Sequence, residues 1–450
     1  MLGSRRGLLV ILDGLGDRPI AALGDRTPLE AASTPNLDRL VAQGRCGLVD
    51  PGMADMPVST HSGAGMLLGI DPEDILRLAR GPVEAAGIGL AMADGDVAMR
   101  CNFATLERRD GALWVLDRRA GRVSSETHAL ASALQDLDLG DGIRATLHPA
   151  TQHRAVLCLS GSGLSSAISN TDPGERAALP APVQSSRPMH REDASARRTA
   201  EALNRFSARA YELLEEHPLN EARRAHGKPP ASGIICREAG SAMAIPSLIG
   251  RIGLSAALVA GECTMLGMAR LLGHEVITDP RFSSLPDTDL DAKVEAVRTA
   301  LASHDLVVLH IKGTDTCAHD QNPEGKRRFL EKIDEAIAPL LVGDLAIAVT
   351  GDHCTDSNSG VHIYDPVPSL LYVGDGEADT SETFGESQCA QGGLGQISGS
   401  NFLVSLLDAM GCRNTRRHAQ SVPNDQPNGR DGAPAGAGGL LRPGGYELPE

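Results

Sequence analysis

The sequence predicts an α/β protein with a mostly parallel sheet built from both ends of the chain and a smaller α+β unit inserted between them. Three observations lead there. Apolar runs at 7–12, 306–311 and 345–349 each stop at a polar loop, as strands buried on both faces do. Helical stretches alternate with such runs before about residue 80 and again from Gly233. Between them the texture changes to short apolar or alternating runs separated by turns.

In chain order, the strand at 7–12 leads into Asp13-Gly14 and a Gly/Asp/Pro loop. Thr34 then reads as an N-cap with Pro35 in the first helical position. A short strand at 46–49 precedes a loop at 50–65, rich in Gly, Pro, Ser and Thr, that carries Ser59-Thr60-His61-Ser62. A helical stretch is expected only at 66–68. Strands of the second unit are expected at 96–104, 113–117, 144–148 and 154–160, and a long amphipathic helix at 193–216. A helix at 291–303, a strand at 306–311, a helix at 323–341 and strands at 345–349 and 367–373 return to the first unit. The expected domains are 1–78 with 235–411, and 79–234. The Arg/Asn/Pro/Gly tail at 412–450 reads as disordered.

At 450 residues, with 41% hydrophobic and 22% charged side chains, the chain can bury a large core in about two domains. A net charge of −16 argues against nucleic-acid and anionic-membrane partners, but not against a small anionic substrate met by local arginines. Nine scattered cysteines without a CxxC fit free thiols in a reducing compartment. The first apolar run is too short for a signal peptide, and no segment approaches the roughly 20 apolar residues of a membrane helix. A soluble, cytoplasmic protein is expected.

The chemistry gathers at strand ends. Asp315 and His319 are spaced i, i+4, so on a helix they share a face and can chelate one ion; alone, that spacing equally fits an ion pair or a cap. Thr350-Gly351-Asp352-His353 closes one buried strand and Asp13 another, while His362 lies in a loop before Asp365-Pro366. Strand C-terminal ends are where open α/β sheets hold ligands. Mixed Asp/His ligation suits Mn, Zn, Co or Mg ions. Six such ligands and a hydroxyl would satisfy two ions, the usual clamp for in-line phosphoryl displacement.

Several segments carry a family resemblance. They are Thr27-Pro28-Leu29-Glu30-Ala31-Ala32-Ser33-Thr34-Pro35-Asn36-Leu37-Asp38, Arg80-Gly81-Pro82, Asp117-Arg118-Arg119-Ala120-Gly121-Arg122, His310-Ile311-Lys312, Asp315-x-x-x-His319-Asp320 and Thr350-Gly351-Asp352-His353. Together they resemble the alkaline phosphatase superfamily and, within it, the archaeal-type 2,3-bisphosphoglycerate-independent phosphoglycerate mutases, over nearly all of residues 7–410. The resemblance implies an alkaline-phosphatase-like core, an inserted substrate-binding domain and a glycolytic isomerase. Such an enzyme interconverts 3-phosphoglycerate and 2-phosphoglycerate through a phosphoenzyme and two divalent ions, with manganese favoured over Mg, Co or Zn. It assigns Asp315, His319 and His362 to one ion. Asp13, Asp352, His353 and the nucleophile oxygen go to the other. Arg118, Arg119, Arg122 and Arg237, with His153 and Asp172, would hold a small phosphorylated carboxylic acid, for which guanidinium forks are suited.

The family's nucleophilic serine aligns with Thr60, an adequate alkoxide nucleophile beside a metal; Ser62 is the second choice and Ser59 the third. Lys312 is placed to offset phosphate charge. Ala64, Gly174, Glu238 and Leu266 stand where the family pattern has His, His, Gly and Lys. Metal ligands kept beside altered substrate-side groups leave an alternative, a related metal-dependent phosphatase or a phosphonate-pathway mutase or transferase. A non-catalytic metal-binding scaffold is the third reading.

Overall fold

The computed structural model describes residues 5–412 apart from 53–55, 175–176, 342–343 and 375; the tail expected to be disordered lies, beyond Cys412, outside the described residues. The strands run β1 (Arg6–Leu12), β2 (Arg45–Asp50), β3 (Val97–Arg109), β4 (Ala112–Asp117), β5 (Leu137–Asp138), β6 (Arg144–Pro149), β7 (Arg154–Ser160), β8 (Ala181–Pro182) and β9 (Gly233–Ser241). They continue with β10 (Ala256–Val259), β11 (Glu275–Ile277), β12 (Leu306–Ile311), β13 (Leu345–Thr350), β14 (Cys354–Asp356), β15 (Val361–Ile363), β16 (Val367–Val373) and β17 (Gly395–Ser398).

The main sheet has eight strands in the order β11-β10-β12-β1-β13-β16-β2-β17. β1 pairs in parallel with β12 and β13, and only β16 runs against its neighbours. β1 is buried on both faces. Leu8, Val10 and Leu12 meet Leu37, Val297, Phe329 and Ile333 on one side, and Leu9 and Ile11 meet Leu67, Met265, Phe402 and Leu406 on the other. Each such fully buried side chain contributes on the order of 2 kcal/mol. Double-sided burial is why the strand reads as a continuous apolar run rather than an alternating one.

The second unit is built on a seven-stranded antiparallel sheet, β5-β6-β7-β3-β4-β8 with β9 against β3. The long helix Ala194–Glu215 lays Ala196, Leu203, Phe206, Ala210 and Leu214 on it, at helical spacing, with Asp193 capping the first turn. β9 carries this sheet to Ser241, past the boundary expected at residue 235. The helix Arg80–Gly87 packs both on β3 and β9 and on the helix Cys263–Leu271 of the first unit, so it belongs to the joint between them.

One element differs from expectation near the site. The segment read as a loop to residue 65 is helical from Thr60 to Leu67. Ser59 and Ser62 form a reciprocal capping box that starts the helix six residues early. Eight of the nine cysteines are free and buried. Among the described residues no helix is long and apolar enough to cross a membrane.

Candidate active site

β1, β12 and β13 end side by side, and their C-terminal loops bring the expected ligands together. Asp315 and His319 lie one turn apart on the helix Gly313–His319 that follows β12. The β14–β15 hairpin supplies Thr355 and His362 as register partners. His319 Nε2 lies 3.3 Å from Asp315 Oδ1, and His362 Nε2 lies 3.5 Å from the same oxygen. In the second cluster His353 Nε2 lies 3.4 Å from Asp13 Oδ1 and 3.4 Å from Asp352 Oδ2. The His353 and His362 rings, one from each cluster, have centroids 3.9 Å apart.

Two glycines make this closeness sterically possible. Gly14, at φ 62°, would place a Cβ 2.8 Å from Asp315 Cβ. A Cβ on Gly63 would fall 1.8 Å from the carbonyl oxygen of Asp352, so the helix carrying Thr60 can sit against that backbone only with glycine there.

The surrounding hydrogen bonds fix which ring nitrogens face inward. His319 Nδ1 lies 2.8 Å from Gly360 O and His362 Nδ1 lies 3.1 Å from Val58 O, so each Nδ1–H is used on a carbonyl. The Thr355 hydroxyl donates to Asp315 and is left to accept from His353 Nδ1. The inward Nε2 atoms therefore present lone pairs to carboxylate oxygens. His353 Nε2 and Asp352 Oδ2 are buried with no hydrogen-bond partner. Burial, foremost, holds the His353 imidazole neutral, with a pKa near 3. Burial and then the charge of Asp13 push the Asp352 carboxyl well above its usual range. His353 Nε2 and Asp352 Oδ2, buried 3.4 Å apart and unpartnered, are the environment a cation completes, and the Asp/His set fits divalent metal.

Thr60 stands at this junction. Its Oγ1 lies 3.3 Å from Asp13 Oδ2 and accepts from Lys312 Nζ at 3.3 Å. Lys312 also reaches Asp13 Oδ1 at 2.9 Å and Asp315 Oδ2 at 2.7 Å. Burial works against its charge, but Asp13 and Asp315 more than compensate and its pKa is raised. Asp13 is likewise opposed by burial and brought down to about 2 by Lys312. The other hydroxyls face elsewhere. Ser62 Oγ lies 3.1 Å from both Pro57 O and Ser59 O, and Ser59 Oγ accepts from Ser62 N.

The second unit brings part of its expected set together. Arg118 donates to both oxygens of Asp172, at 3.0 and 2.5 Å, and Arg237 reaches Oδ2 at 2.7 Å. His153 is brought to about 3 by burial and then by Arg154, Arg119, Arg100 and Arg237, so a neutral imidazole faces the guanidinium groups. Arg119 is exposed and turns its backbone N–H to Asp117. Arg122 is exposed in a left-handed turn at φ 57°.

Sequence reasoning missed several residues. Arg100 pairs with buried Glu84 at 3.1 Å. Glu262 is buried, caps the helix Cys263–Leu271 through Met265 N, and feels both Lys312 and Arg154, linking the arginine cluster electrostatically to the Asp/His site. His310 meets Asp13 Oδ2 at 3.0 Å. A charged or imidazole side chain inside an apolar element, as at His310 and Glu84, was the available signal.

An open, mostly parallel sheet whose strand ends gather two Asp/His triads beside a hydroxyl defines the class, an α/β core suited to metal-dependent phosphoryl transfer. A family model described as 2,3-bisphosphoglycerate-independent phosphoglycerate mutase matches residues 42–220. A relative of that name from Methanopyrus kandleri is 39% identical over 415 residues, spanning 90% of this chain and 97% of its own. One from Archaeoglobus fulgidus is 40% identical over 412 residues, with the same coverage of 90% and 97%. The solved cofactor-independent phosphoglycerate mutase of Thermoplasma acidophilum is similar at a TM-score of 0.63 and 34% identity, covering 90% of this chain and all of that one. A solved Pyrococcus horikoshii protein reaches a TM-score of 0.75 at 32% identity, covering 91% of this chain and 98% of that one. The chain belongs to the 2,3-bisphosphoglycerate-independent phosphoglycerate mutase family.

Proposed function

We propose that this chain interconverts 3-phosphoglycerate and 2-phosphoglycerate through a phosphoenzyme on Thr60. The observation that carries this reading is the position of Thr60 Oγ1, 3.3 Å from both Asp13 Oδ2 and Lys312 Nζ where the two Asp/His clusters meet. Asp315, His319 and His362 would hold one divalent ion, and Asp13, Asp352, His353 and Thr60 the other. Manganese is the first choice. Such ions, when bound, neutralise phosphoryl charge and favour the alkoxide form of a hydroxyl.

The residues then have separable tasks. Thr60 Oγ1 forms a bond to phosphorus as the bond from phosphorus to the glycerate oxygen breaks, and the released oxygen takes up a proton. Lys312 supports negative charge on the transferring group. Arg118 and Arg237, held by Asp172, orient the glycerate carboxylate while the neighbouring hydroxyl turns toward phosphorus. That hydroxyl then attacks, loses its proton and regenerates Thr60. The Asp/His clusters of the first unit thus carry the chemistry and the arginines of the second carry the substrate, as expected for a small phosphorylated acid handled in the cytoplasm.

The test is to incubate the full chain with Mn and 3-phosphoglycerate and follow 2-phosphoglycerate and inorganic phosphate together, repeating with Mg, Co and Zn. Formation of 2-phosphoglycerate supports the reading. Free phosphate alone would replace it with a hydrolase, and neither product from metal-loaded protein would overturn it.

A further inference from the structure

Glu238 has a backbone conformation that glutamate rarely adopts. Its φ is 56°, in the left-handed region. It lies where the pairing of β3 with β9 shifts register between Ala98 and Arg100, at a bulge. Glycine is the usual residue for a left-handed bulge position. The Glu238 N–H is held by Asn170 Oδ1 at 2.9 Å. A Cβ on Gly81 would come 2.9 Å from the Glu238 carbonyl oxygen, so the helix Arg80–Gly87 begins directly against this backbone. Strain retained in a non-glycine residue is concentrated at functional positions.

The side chain points to the function. Glu238 Oε2 lies 3.5 Å from Arg80 Nε, and Oε1 lies 3.7 Å from Arg237 Nε. These separations give Coulomb attraction, but they exceed the distances of good charge-assisted hydrogen bonds. Asp172 makes a contrast. It grips Arg237 at 2.7 Å and its side chain is only 1% exposed, whereas that of Glu238 is 34% exposed. Asp172 is therefore built in, and Glu238 is loosely held and open to solvent.

We propose that Glu238 is a specificity-determining residue, an internal counter-ion lying between Arg80 and Arg237 that the anionic group of a small phosphorylated acid must displace. It rests on the reading of the arginine cluster as the substrate's anion site. In the free enzyme the Glu238 carboxylate offsets two neighbouring guanidinium charges. On binding, a substrate carboxylate or phosphate takes its place and Glu238 turns to solvent. The residue thereby weakens binding of all such anions and favours those that bring enough charge to compete.

Calorimetry of the full-length, Mn-loaded chain with 3-phosphoglycerate, run beside turnover, tests this. E238Q keeps the shape and removes the charge, E238G suits the left-handed backbone, and E238D keeps a shortened carboxylate. E216Q removes the same charge from an exposed position at the end of the long helix. E238Q and E238G should each tighten the Kd for 3-phosphoglycerate at least threefold and lower KM in step, while E238D and E216Q tighten it less than twofold. Unchanged or weaker binding by both E238Q and E238G overturns the proposal, as does equal tightening by E216Q. Tightening without turnover would leave Glu238 in this role and remove the mutase reading. Turnover with unchanged Kd would do the reverse.

Discussion

The Nε2 atoms of His319 and His362 stand 3.0 Å apart, and each ring's Nδ1 is turned to a backbone carbonyl. With both Nδ1–H groups so used, neutral rings aim two imidazole lone pairs at one carboxylate oxygen, an arrangement that a bound divalent ion stabilises. Removing either histidine should therefore remove one of two bound ions rather than both. His319→Ala and His362→Ala are expected to lower Mn stoichiometry from two toward one and turnover by at least about 100-fold, in the range for loss of metal-site groups. Elemental analysis of dialysed protein beside the enolase-coupled assay checks this. Two ions retained with full turnover would mean that these rings are not ligands.

Thr60 and Ser62 separate the chemistry from the local fold. Thr60→Ala should abolish turnover and phosphoenzyme trapping while leaving metal content largely intact, and Thr60→Ser should restore both. Ser62 instead closes the capping box with Ser59. Ser62→Ala should cost about 1 kcal/mol of stability, the usual worth of a cap, and leave phosphoenzyme formation in place. Turnover surviving in Thr60→Ala but lost in Ser62→Ala would reverse the assignment.

The two residues also show where sequence reading succeeds and stops. β1, β12 and β13 were legible because burial on both faces leaves a continuous apolar run, and Asp13, Asp352 and His353 were legible as candidates because they follow such runs. The start of the helix at Thr60 was not, because a Ser/Thr/Gly segment has weak helical propensity and the reciprocal bonds between Ser59 and Ser62 decide it. The orienting role of Thr355 arises from its pairing with His362 across the β14–β15 hairpin. The Arg100–Glu84 pair depends on packing the helix Arg80–Gly87 against β3. Neither juxtaposition leaves a local pattern in the chain.

A buried ion pair steadies the loops behind the site. Lys326 Nζ donates to Asp17 Oδ2 at 2.8 Å, and both side chains are fully buried. Asp17 also accepts from the backbone and hydroxyl of Ser357, which ties the loop after β1 to the segment between His353 and His362. Lys326→Met would leave a buried carboxylate without its counter-charge, at about 3–5 kcal/mol. The double variant Lys326→Met/Asp17→Asn should recover part of that loss. Urea unfolding of the four proteins of this cycle provides the coupling energy, and a Lys326→Met loss below about 1 kcal/mol would contradict the role.

Lys293 gives a pH-dependent test of the core. It is 1% exposed on the helix Leu290–Leu301, with Nζ 2.9 Å from His310 O and 5.6 Å from the centre of the Phe282 ring. Burial lowers its pKa to about 8, below the roughly 10.4 of an unfolded lysine. Below pH 8 both states carry the proton, and the folded state bears the full penalty of the buried charge. As pH rises from about 8 to about 10.4 the folded state releases its proton first, so this penalty fades; above that window both states are neutral. Lys293→Met should consequently stabilise the protein at pH 7, by on the order of 2 kcal/mol after loss of the His310 contact is counted. The advantage should shrink steadily toward pH 10. Thermal unfolding of wild type and variant at matched pH isolates the difference, because other alkaline effects act on both. A difference that stays constant from pH 7 to pH 10 would show that Lys293 does not bury its charge.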